Sequence, residues 1–287
     1  MLEMSIAEQI GAREELWVCE LGLVPYRRAL ALQERVAARR RSEQLPDTLL
    51  LLEHPPVYTR GRRAAQAELP HGERFYAARG IEVLDTDRGG RVTYHGPGQL
   101  VGYPIMRVED VGAYLRAMEA AIIAALFQEG VQASSRCSEG PDYTGVWVGE
   151  RKIASIGVHV SRGVTTHGFA INVHNELEPF SLIVACGLPG VAMTSLQREL
   201  PSGRRLDPAR FRERVADCFC AVHGRRARAV AASALRGPRA APRPPAPTRG
   251  RMPRASRRGA ITARADATLK SAIGPSELPV AGPGAGA

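Results

Sequence analysis

Lysine is almost absent from this sequence. Of its 39 basic residues only Lys152 and Lys270 are lysines, and all the others are arginines. Arginine stays protonated near neutral pH, whereas the pKa of a lysine amine shifts readily on burial, so a position that keeps lysine is a candidate for proton exchange. Lys270 lies in a low-complexity C-terminal stretch, but Lys152 lies among strand-forming residues. Lys152 is therefore the first candidate functional residue.

The patterns of several common sites are also missing. The five cysteines, an odd number, include no CxxC pair, and the seven histidines show no HExxH spacing, so we predict no disulfide and no bound metal. There is no GxxxxGK[ST] phosphate loop and no GxSxG serine elbow. The glycines at 96, 98 and 102 precede a strand-like segment, whereas a dinucleotide fingerprint precedes a helix. We therefore predict no cofactor.

Long apolar runs and an N-terminal leader pattern are absent too. No apolar run reaches the roughly 18 residues of a membrane span, and the first residues contain acids but no basic stretch before an apolar one. The expectation from these features is a cytoplasmic protein with no membrane association.

Charge and proline divide the chain into two parts. Residues 224–287 contain thirteen of the 39 basic residues, two of the 29 acidic ones and no Phe, Trp or Tyr. Such a Pro-, Ala- and Arg-rich stretch cannot bury enough apolar surface to offset its ordering entropy. The sequence predicts a catalytic domain at 1–223 and a basic, disordered tail at 224–287. The tail has no interleaved aromatic residues or repeated motif, so no nucleic-acid partner is predicted.

Hydrophobic periodicity alternates between strands and helices in residues 1–223. Helical patterns cover 25–41, 73–79, 110–129 and 208–223, with Asp110 as the predicted cap of the third helix. Strand patterns, including a buried strand at 48–53, cover most of the segments between them, and the stretch EHPPVYTRGRRA is predicted to be a Pro/Gly/Arg loop. Several strands follow one another without a helix between them, which favours an α+β fold with a mixed sheet flanked by helices.

Cys186 ends a short apolar run at the turn Cys-Gly-Leu-Pro-Gly, and the sequence predicts a strand that stops there. Lys152 is predicted to open the second strand of a hairpin whose turn is Gly149-Glu150. A cationic amine beside a thiol stabilises the thiolate, which attacks carbonyl groups. On these residues alone, a buried structural cysteine and a solvated lysine fit equally well.

A second candidate is the glycine loop that begins at Arg88-Gly89-Gly90 and continues to His95-Gly96-Pro97-Gly98. Its backbone can approach a ligand closely, with a guanidinium and an imidazole beside it. A pair of purely structural turns is the alternative.

Three long motifs carry a resemblance to a known family. They are DRGGRVTYHGPGQLVGYPI, GVWVGERKIASIGVHVSRGVTTHGFAINV and ACGLPGVAMTSL, preceded by LLLEHPPVYTRGR. In this order they resemble the lipoyl(octanoyl) transferases, also called lipoate-protein ligase B, over residues 16–220. The resemblance implies the fold of the catalytic domains of biotin protein ligase and lipoate ligase. It also implies octanoyl transfer through a cysteine thioester, the first step of protein lipoylation.

The resemblance also implies roles for particular residues. Cys186 matches the acyl-thioester nucleophile, and Lys152 matches the residue that lowers the pKa of that thiol. Three segments match substrate-binding positions: Arg88, Gly89, Gly90, Arg91, Val92, Thr93, Tyr94 and His95; Ser155, Ile156 and Gly157; Gly168, Phe169 and Ala170.

The implied partners are two proteins. The donor is octanoyl-acyl carrier protein, and the acceptor is a lipoyl domain of 2-oxoacid dehydrogenase complexes or the glycine cleavage H protein. Because acidic partners are expected, Arg60, Arg62, Arg63 and Arg88 are candidate docking charges, and a role in surface solubility fits them equally well. Two alternatives stay open: an ATP-dependent lipoate or biotin ligase of the same fold, which leaves Cys186 unexplained, and a protein that binds acyl carriers or nucleic acid without catalysis.

Overall fold

The structure, a computed structural model, describes residues 14–236. Their strands are β1 (Glu15–Leu23), β2 (Thr48–Glu53), β3 (Val57–Arg60), β4 (Glu82–Asp85), β5 (Val92–His95), β6 (Gln99–Ile105), β7 (Ser134–Ser135), β8 (Gly145–Val148), β9 (Arg151–Ser161), β10 (Val164–Asn172), β11 (Ala192–Met193) and β12 (Arg226–Ala229). Their helices are α1 (Tyr26–Arg41), α2 (Glu73–Ala77), α3 (Val111–Gln128), α4 (Leu196–Glu199) and α5 (Pro208–Val222).

Nine of these strands form one mixed sheet. Its order is β12-β1-β2-β6-β10-β9-β8-β7, and β11 pairs with the first residues of β9. The pairs β12–β1, β1–β2 and β11–β9 are parallel, and the other pairs are antiparallel. The α+β fold with a mixed sheet is confirmed, and so is the predicted hairpin at Gly149-Glu150, where Trp147 pairs with Lys152.

The large sheet is covered on both faces. In β2, Leu49 and Leu51 pack into the core on the side of α3 and α5, and Leu50 and Leu52 pack into the core under α1. Successive strand side chains point to opposite faces, so a central strand covered on both sides must be apolar throughout. This explains the unbroken run of leucines.

Helix α3 is as long and apolar as a membrane-spanning helix when judged by length and composition alone. In the fold, its buried side packs against the sheet and α5 through residues such as Met118, Ile122 and Leu126. The predicted cap is confirmed, because the Asp110 carboxylate accepts a hydrogen bond from the Ala113 N–H at 2.9 Å. Glu119, which is also buried, accepts hydrogen bonds from the Ser135 hydroxyl and the Gly145 N–H.

A second, three-stranded sheet has the order β4-β3-β5. The sequence predicted a loop where β3 lies, and that prediction is wrong. The strand forms because Tyr58 packs against Tyr76 and Tyr94, with ring centroids 4.9 and 5.5 Å away, which gives a short segment an aromatic core of its own. This small sheet carries the glycine loop to the edge of the large one.

Regular structure continues past the predicted boundary between residues 223 and 224. Strand β12 pairs with β1, and the Val230 N–H donates to the Val18 carbonyl at 2.9 Å. Leu235 is 3% exposed and packs in the core under α1. Residues 224–236 therefore belong to the folded domain, and the rest of the predicted tail lies outside the described residues.

The effect of removing β12 can be measured by truncation. A chain that ends after His223 loses β12 and the buried Leu235 side chain, and we expect this to lower the free energy of unfolding by about 2 kcal/mol or more. For a domain of this size, that corresponds to a fall in Tm of roughly 4–8 °C. A chain that ends after Arg236 serves as the control and should have the same Tm as the full-length protein. Equal melting temperatures for the two truncations would contradict this assignment.

Candidate active site

A pocket lies where the glycine loop and the small sheet meet the β9–β10 hairpin. Its volume is about 570 Å³ when its open mouth is included, which is typical of a site for a small ligand. Lys152, Cys186 and Ser155 line it together with residues of the loop that precedes β5. Among residues 14–236 no group of three or more His, Cys, Asp or Glu side chains is placed to hold a metal ion.

Cys186 lies in a short 3-10 turn, Ala185–Gly187, and not at the end of a strand as the sequence predicted. Its φ of 58° is in the left-handed region, which costs a residue with a side chain about 1 kcal/mol or more and is often found at functional sites. The strained turn presents the thiol to the pocket, and its Sγ lies 3.7 Å from the Ser155 hydroxyl. The side chain is half-buried, so a ligand can reach it.

Two contacts hold this turn in place. The Val184 N–H donates to the Glu68 carbonyl at 2.9 Å, which ties the chain before the thiol to the small-sheet side of the pocket. Gly187, with a φ of 71°, packs directly against the Arg91 side chain, and a Cβ atom there would overlap that side chain. The glycine after the cysteine is therefore required for close packing as well as for its positive φ.

Lys152 is 1% exposed and reaches the pocket from the start of β9. Its Nζ lies 5.1 Å from the centroid of the Trp147 ring and 3.4 Å from the Asp142 carbonyl. Gly145 faces this side chain, and a Cβ atom there would lie 2.9 Å from the Lys152 Cε. The single lysine of the described chain is thus enclosed by protein.

Arg88 is a second buried cation of the pocket. Its guanidinium donates to neutral oxygens: to the Thr59 carbonyl and hydroxyl at 2.7 and 2.8 Å, and to the Arg91 carbonyl at 2.7 Å. Burial lowers its pKa, and the negative charge of a Cys186 thiolate acts in the opposite direction. Arg88 is only 8% exposed, so its prediction as a surface docking charge is wrong.

Ion pairs join the loops at the mouth of the pocket. Asp142 contacts Arg63 at 2.9 Å and Arg91 at 3.4 Å, and Arg91 also contacts Glu68 at 2.8 Å. Arg60, another predicted docking charge, is paired with Asp85 and Glu73. These pairs fix the loops that frame the entrance.

The sequence model of the lipoyl protein ligase A/B catalytic domain matches residues 25–220. The chain belongs to this family. Among its relatives, an octanoyltransferase from Rubrobacter xylanophilus is 47% identical over 71% of this chain and 91% of the relative. An octanoyltransferase from Myxococcus xanthus is 46% identical over 71% of this chain, and the match spans 58% of that relative's length.

Solved structures show the same family fold. A bipartite lipoate protein ligase from Thermoplasma acidophilum superimposes with a TM-score of 0.60 at 17% identity, over 76% of this chain and 87% of that one. A lipoate-protein ligase A bound with ATP superimposes with a TM-score of 0.58 at 16% identity, over 77% and 91% of the two chains. At these identities the likeness concerns the fold alone.

Most residues predicted from the family motifs line this one pocket. They are Arg88, Gly90, Arg91, Val92, Thr93, His95, Lys152, Ser155, Ile156, Gly157, Gly168, Phe169, Ala170 and Cys186. Two do not line it. Tyr94 points from β5 into the aromatic core, against Phe180, because strand side chains alternate. Gly89 ties the loop to β9 by donating from its N–H to the Val158 carbonyl at 2.9 Å.

Sequence reasoning missed several residues of this pocket. Tyr26, Tyr103 and His167 line it, as do Pro141, Asp142 and Thr144. Tyr26 opens α1, Tyr103 lies in the centre of β6, and neither position has a pattern that distinguishes it from core packing. His167 directly precedes the predicted segment at Gly168, which is the only signal that could have suggested it.

Proposed function

We propose that this protein transfers an octanoyl or lipoyl group from acyl carrier protein to a lysine of a lipoyl domain, through a thioester on Cys186. The main support is the placement of a strained, accessible thiol and an enclosed amine in one pocket. Relatives at 46–47% identity are octanoyltransferases. The proposed acceptors are lipoyl domains of 2-oxoacid dehydrogenase complexes and the glycine cleavage H protein, and the proposed location is the cytoplasm.

Each half of the reaction exchanges one bond. In the first half, the Cys186 thiolate attacks the donor thioester carbonyl, the new C–S bond forms, and the pantetheine sulfur leaves and takes up a proton. In the second half, the acceptor amine attacks the Cys186 thioester, a C–N bond forms, and the cysteine leaves as a thiolate. The amine proton must be removed in this step.

In this mechanism the residues of the pocket have two roles, electrostatic stabilisation and proton transfer. Arg88 and Lys152 line the same pocket as Cys186, and a cation beside a thiolate stabilises it. Lys152 can also give a proton to the leaving pantetheine sulfur and take one from the attacking amine, whereas Arg88 stays protonated throughout. Two cations with different acid–base properties therefore suit the two halves of the reaction.

The acyl-enzyme can be detected directly. After incubation with octanoyl-acyl carrier protein and no nucleotide, the intact mass should rise by one octanoyl group, and addition of a lipoyl domain should remove that group. Free octanoate with ATP, in place of the donor, should give no adduct and no acylated lipoyl domain. The reverse pattern, acylation that requires ATP, would favour a ligase and contradict the proposal.

A further inference from the structure

Glu119 is a buried carboxylate that the thioester chemistry does not use. It lies in the middle of α3 and is 2% exposed. Its neighbours on that helix, such as Met118 and Ile122, are apolar residues of the main core. Burying a charged group is costly unless the group is paired and hydrogen-bonded. A carboxylate at this position therefore calls for a reason beyond packing.

The two oxygens of this carboxylate tie β7 and β8 to α3. Oε1 accepts a hydrogen bond from the N–H of Gly145, the first residue of β8, at 2.9 Å. Oε2 accepts from the Ser135 hydroxyl in β7 at 2.6 Å and from the Arg116 Nε at 2.8 Å. The Arg116 side chain is 44% exposed, whereas the bond to Gly145 is buried. The most enclosed of these contacts is thus the one that reaches β8.

Gly145 lies directly against the Lys152 side chain. A Cβ atom at this glycine would lie 2.9 Å from the Lys152 Cε and would overlap the Ala154 carbonyl oxygen. Its φ of 139° also favours a residue without a side chain. The backbone of β8 itself therefore borders the last methylene of the amine.

The residues around Gly145 enclose the rest of the amine. The Lys152 Nζ lies 5.1 Å from the centroid of the Trp147 ring and 3.4 Å from the Asp142 carbonyl. The Trp147 Nε1–H donates to the Tyr143 carbonyl at 2.9 Å, which joins the two ends of this segment. The α3 carboxylate binds the segment between these two ends, so it holds the enclosure as a unit.

The strand ladder is interrupted at the same place. Trp147 pairs with Lys152, but Val146 pairs with Ala154, so Ile153 has no partner of its own in β8. Such a bulge disrupts the ladder locally and changes the direction of side chains, and bulges are frequent beside active sites. Ladder hydrogen bonds alone therefore hold β8 less firmly beside the lysine than in a regular strand pair. The bond from α3 lies just past the interruption.

Gly145 is also connected to the thiol side of the pocket. Its partner in the β8–β9 ladder is Ser155, whose hydroxyl lies 3.7 Å from the Cys186 Sγ. The same glycine thus borders the Lys152 side chain and pairs with the residue beside the thiol. A carboxylate that fixes Gly145 therefore fixes the lysine relative to the strand that borders Cys186.

We propose that Glu119 is a positioning residue for acyl transfer: through the Gly145 N–H it holds β8 against Lys152 and so sets where the amine lies in the pocket. The inference rests on the proposed function, because it concerns the amine that exchanges protons in that reaction. Glu119 does not line the pocket, so it acts only through these two residues.

The position of the amine can be measured without any turnover. The full chain is treated with the N-hydroxysuccinimide ester of acetic acid, and acetylation of Lys152 is followed by peptide mass spectrometry, with Lys270 as the reference for the reagent. Wild-type Lys152 is 1% exposed and should react slowly. Glu119→Ala should raise its acetylation rate relative to Lys270 at least about tenfold, because the enclosure opens locally. Glu119→Gln should keep the wild-type rate, because its amide oxygen can still accept from the Gly145 N–H.

The second measurement is octanoyl transfer from octanoyl-acyl carrier protein to a lipoyl domain. Glu119→Ala should lower kcat at least about tenfold with little change in KM for the donor, because a misplaced group loses much of its effect. In a Lys152→Arg background the same substitution should cost less than about threefold, because the amine that Glu119 positions is already gone. A purely structural role predicts equal losses in both backgrounds.

Ser135→Ala is the matched control. It removes one hydrogen bond of the same carboxylate and leaves the bond to Gly145 in place. It should lower the free energy of unfolding but keep Lys152 acetylation and kcat within about twofold of the wild type. If Glu119→Ala does not fold, Glu119→Asp takes its place in both measurements, because a carboxylate that is one methylene shorter draws back from the Gly145 N–H.

The two measurements separate this inference from the proposed function. Wild-type acetylation of Lys152 in the folded Glu119 variant would overturn the positioning role, and so would equal losses of kcat in the two backgrounds. No octanoyl adduct on the wild-type protein would refute the proposed function, while the acetylation rates would still decide whether Glu119 holds Lys152 in place.

Discussion

Replacing Cys186 with alanine is expected to abolish both the octanoyl adduct and transfer to a lipoyl domain, because no other group in the pocket can form the thioester. Cys186→Ser should also fail to form a thioester, since an alkoxide is far less accessible than a thiolate near neutral pH. Intact mass and acylation of a lipoyl domain report the two losses separately.

The remaining cysteines supply the controls. Burial raises the pKa of Cys220 to about 11 and also raises that of Cys218, so both stay as inert thiols near neutral pH. None of these three cysteines, Cys137, Cys218 and Cys220, lines the pocket, so Cys137→Ser, Cys218→Ser and Cys220→Ser should keep the adduct and the transfer activity. An active Cys186→Ala protein would disprove the assignment of the nucleophile.

Lys152→Arg is expected to lower the transfer rate by a factor on the order of one hundred or more, as is typical for the loss of a general acid–base group. Arginine keeps the positive charge but cannot release a proton near neutral pH. Arg88, the other buried cation of the pocket, is unchanged in this variant. Nearly full activity in Lys152→Arg would refute the proton-transfer role.

Loss of fit must be distinguished from loss of proton transfer, because Lys152 is enclosed between Trp147 and the Asp142 carbonyl. The rate of Cys186 alkylation by iodoacetamide should be measured against pH in both proteins. If the alkylation profile stays the same while transfer collapses, the variant retains the charge and lacks the proton step. A profile shifted to higher pH would mean that the guanidinium is misplaced.

Much of the fold follows from periodicity, and the exceptions have physical reasons. The leucine run of β2 and the capped pattern of α3 are local signals, and both elements form where they are predicted. Strand β3 was missed because aromatic contacts distant in sequence stabilise it. Strand β12 was missed because its alternating Arg and Ala are all exposed, and only pairing with β1 creates it.

The candidate site likewise contains residues that could be predicted from the sequence and residues that could not. Lys152 and Cys186 could be singled out from composition and from a Gly/Pro turn, and motif resemblance supplied the glycine loop. The left-handed turn at Cys186 could not be predicted, since an apolar run before a turn is equally typical of a strand end. His167 could not be predicted either, because its place depends on a φ that opposes strand alternation and on Gln33 from a distant helix.

An enzyme that carries a reactive thioester must avoid acylating other copies of itself. Residues 14–236 contain one lysine, and its side chain is 1% exposed. The positive charges on the surface of this range are arginines, which stay protonated and are poor nucleophiles near neutral pH. Within that range, no exposed side-chain amine is available to intercept the acyl group from a neighbouring molecule. Because lysine is nearly absent and Lys152 is buried, the side chains on the surface of residues 14–236 do not react with the acyl group. The amine of an incoming partner is then the one that reacts with it.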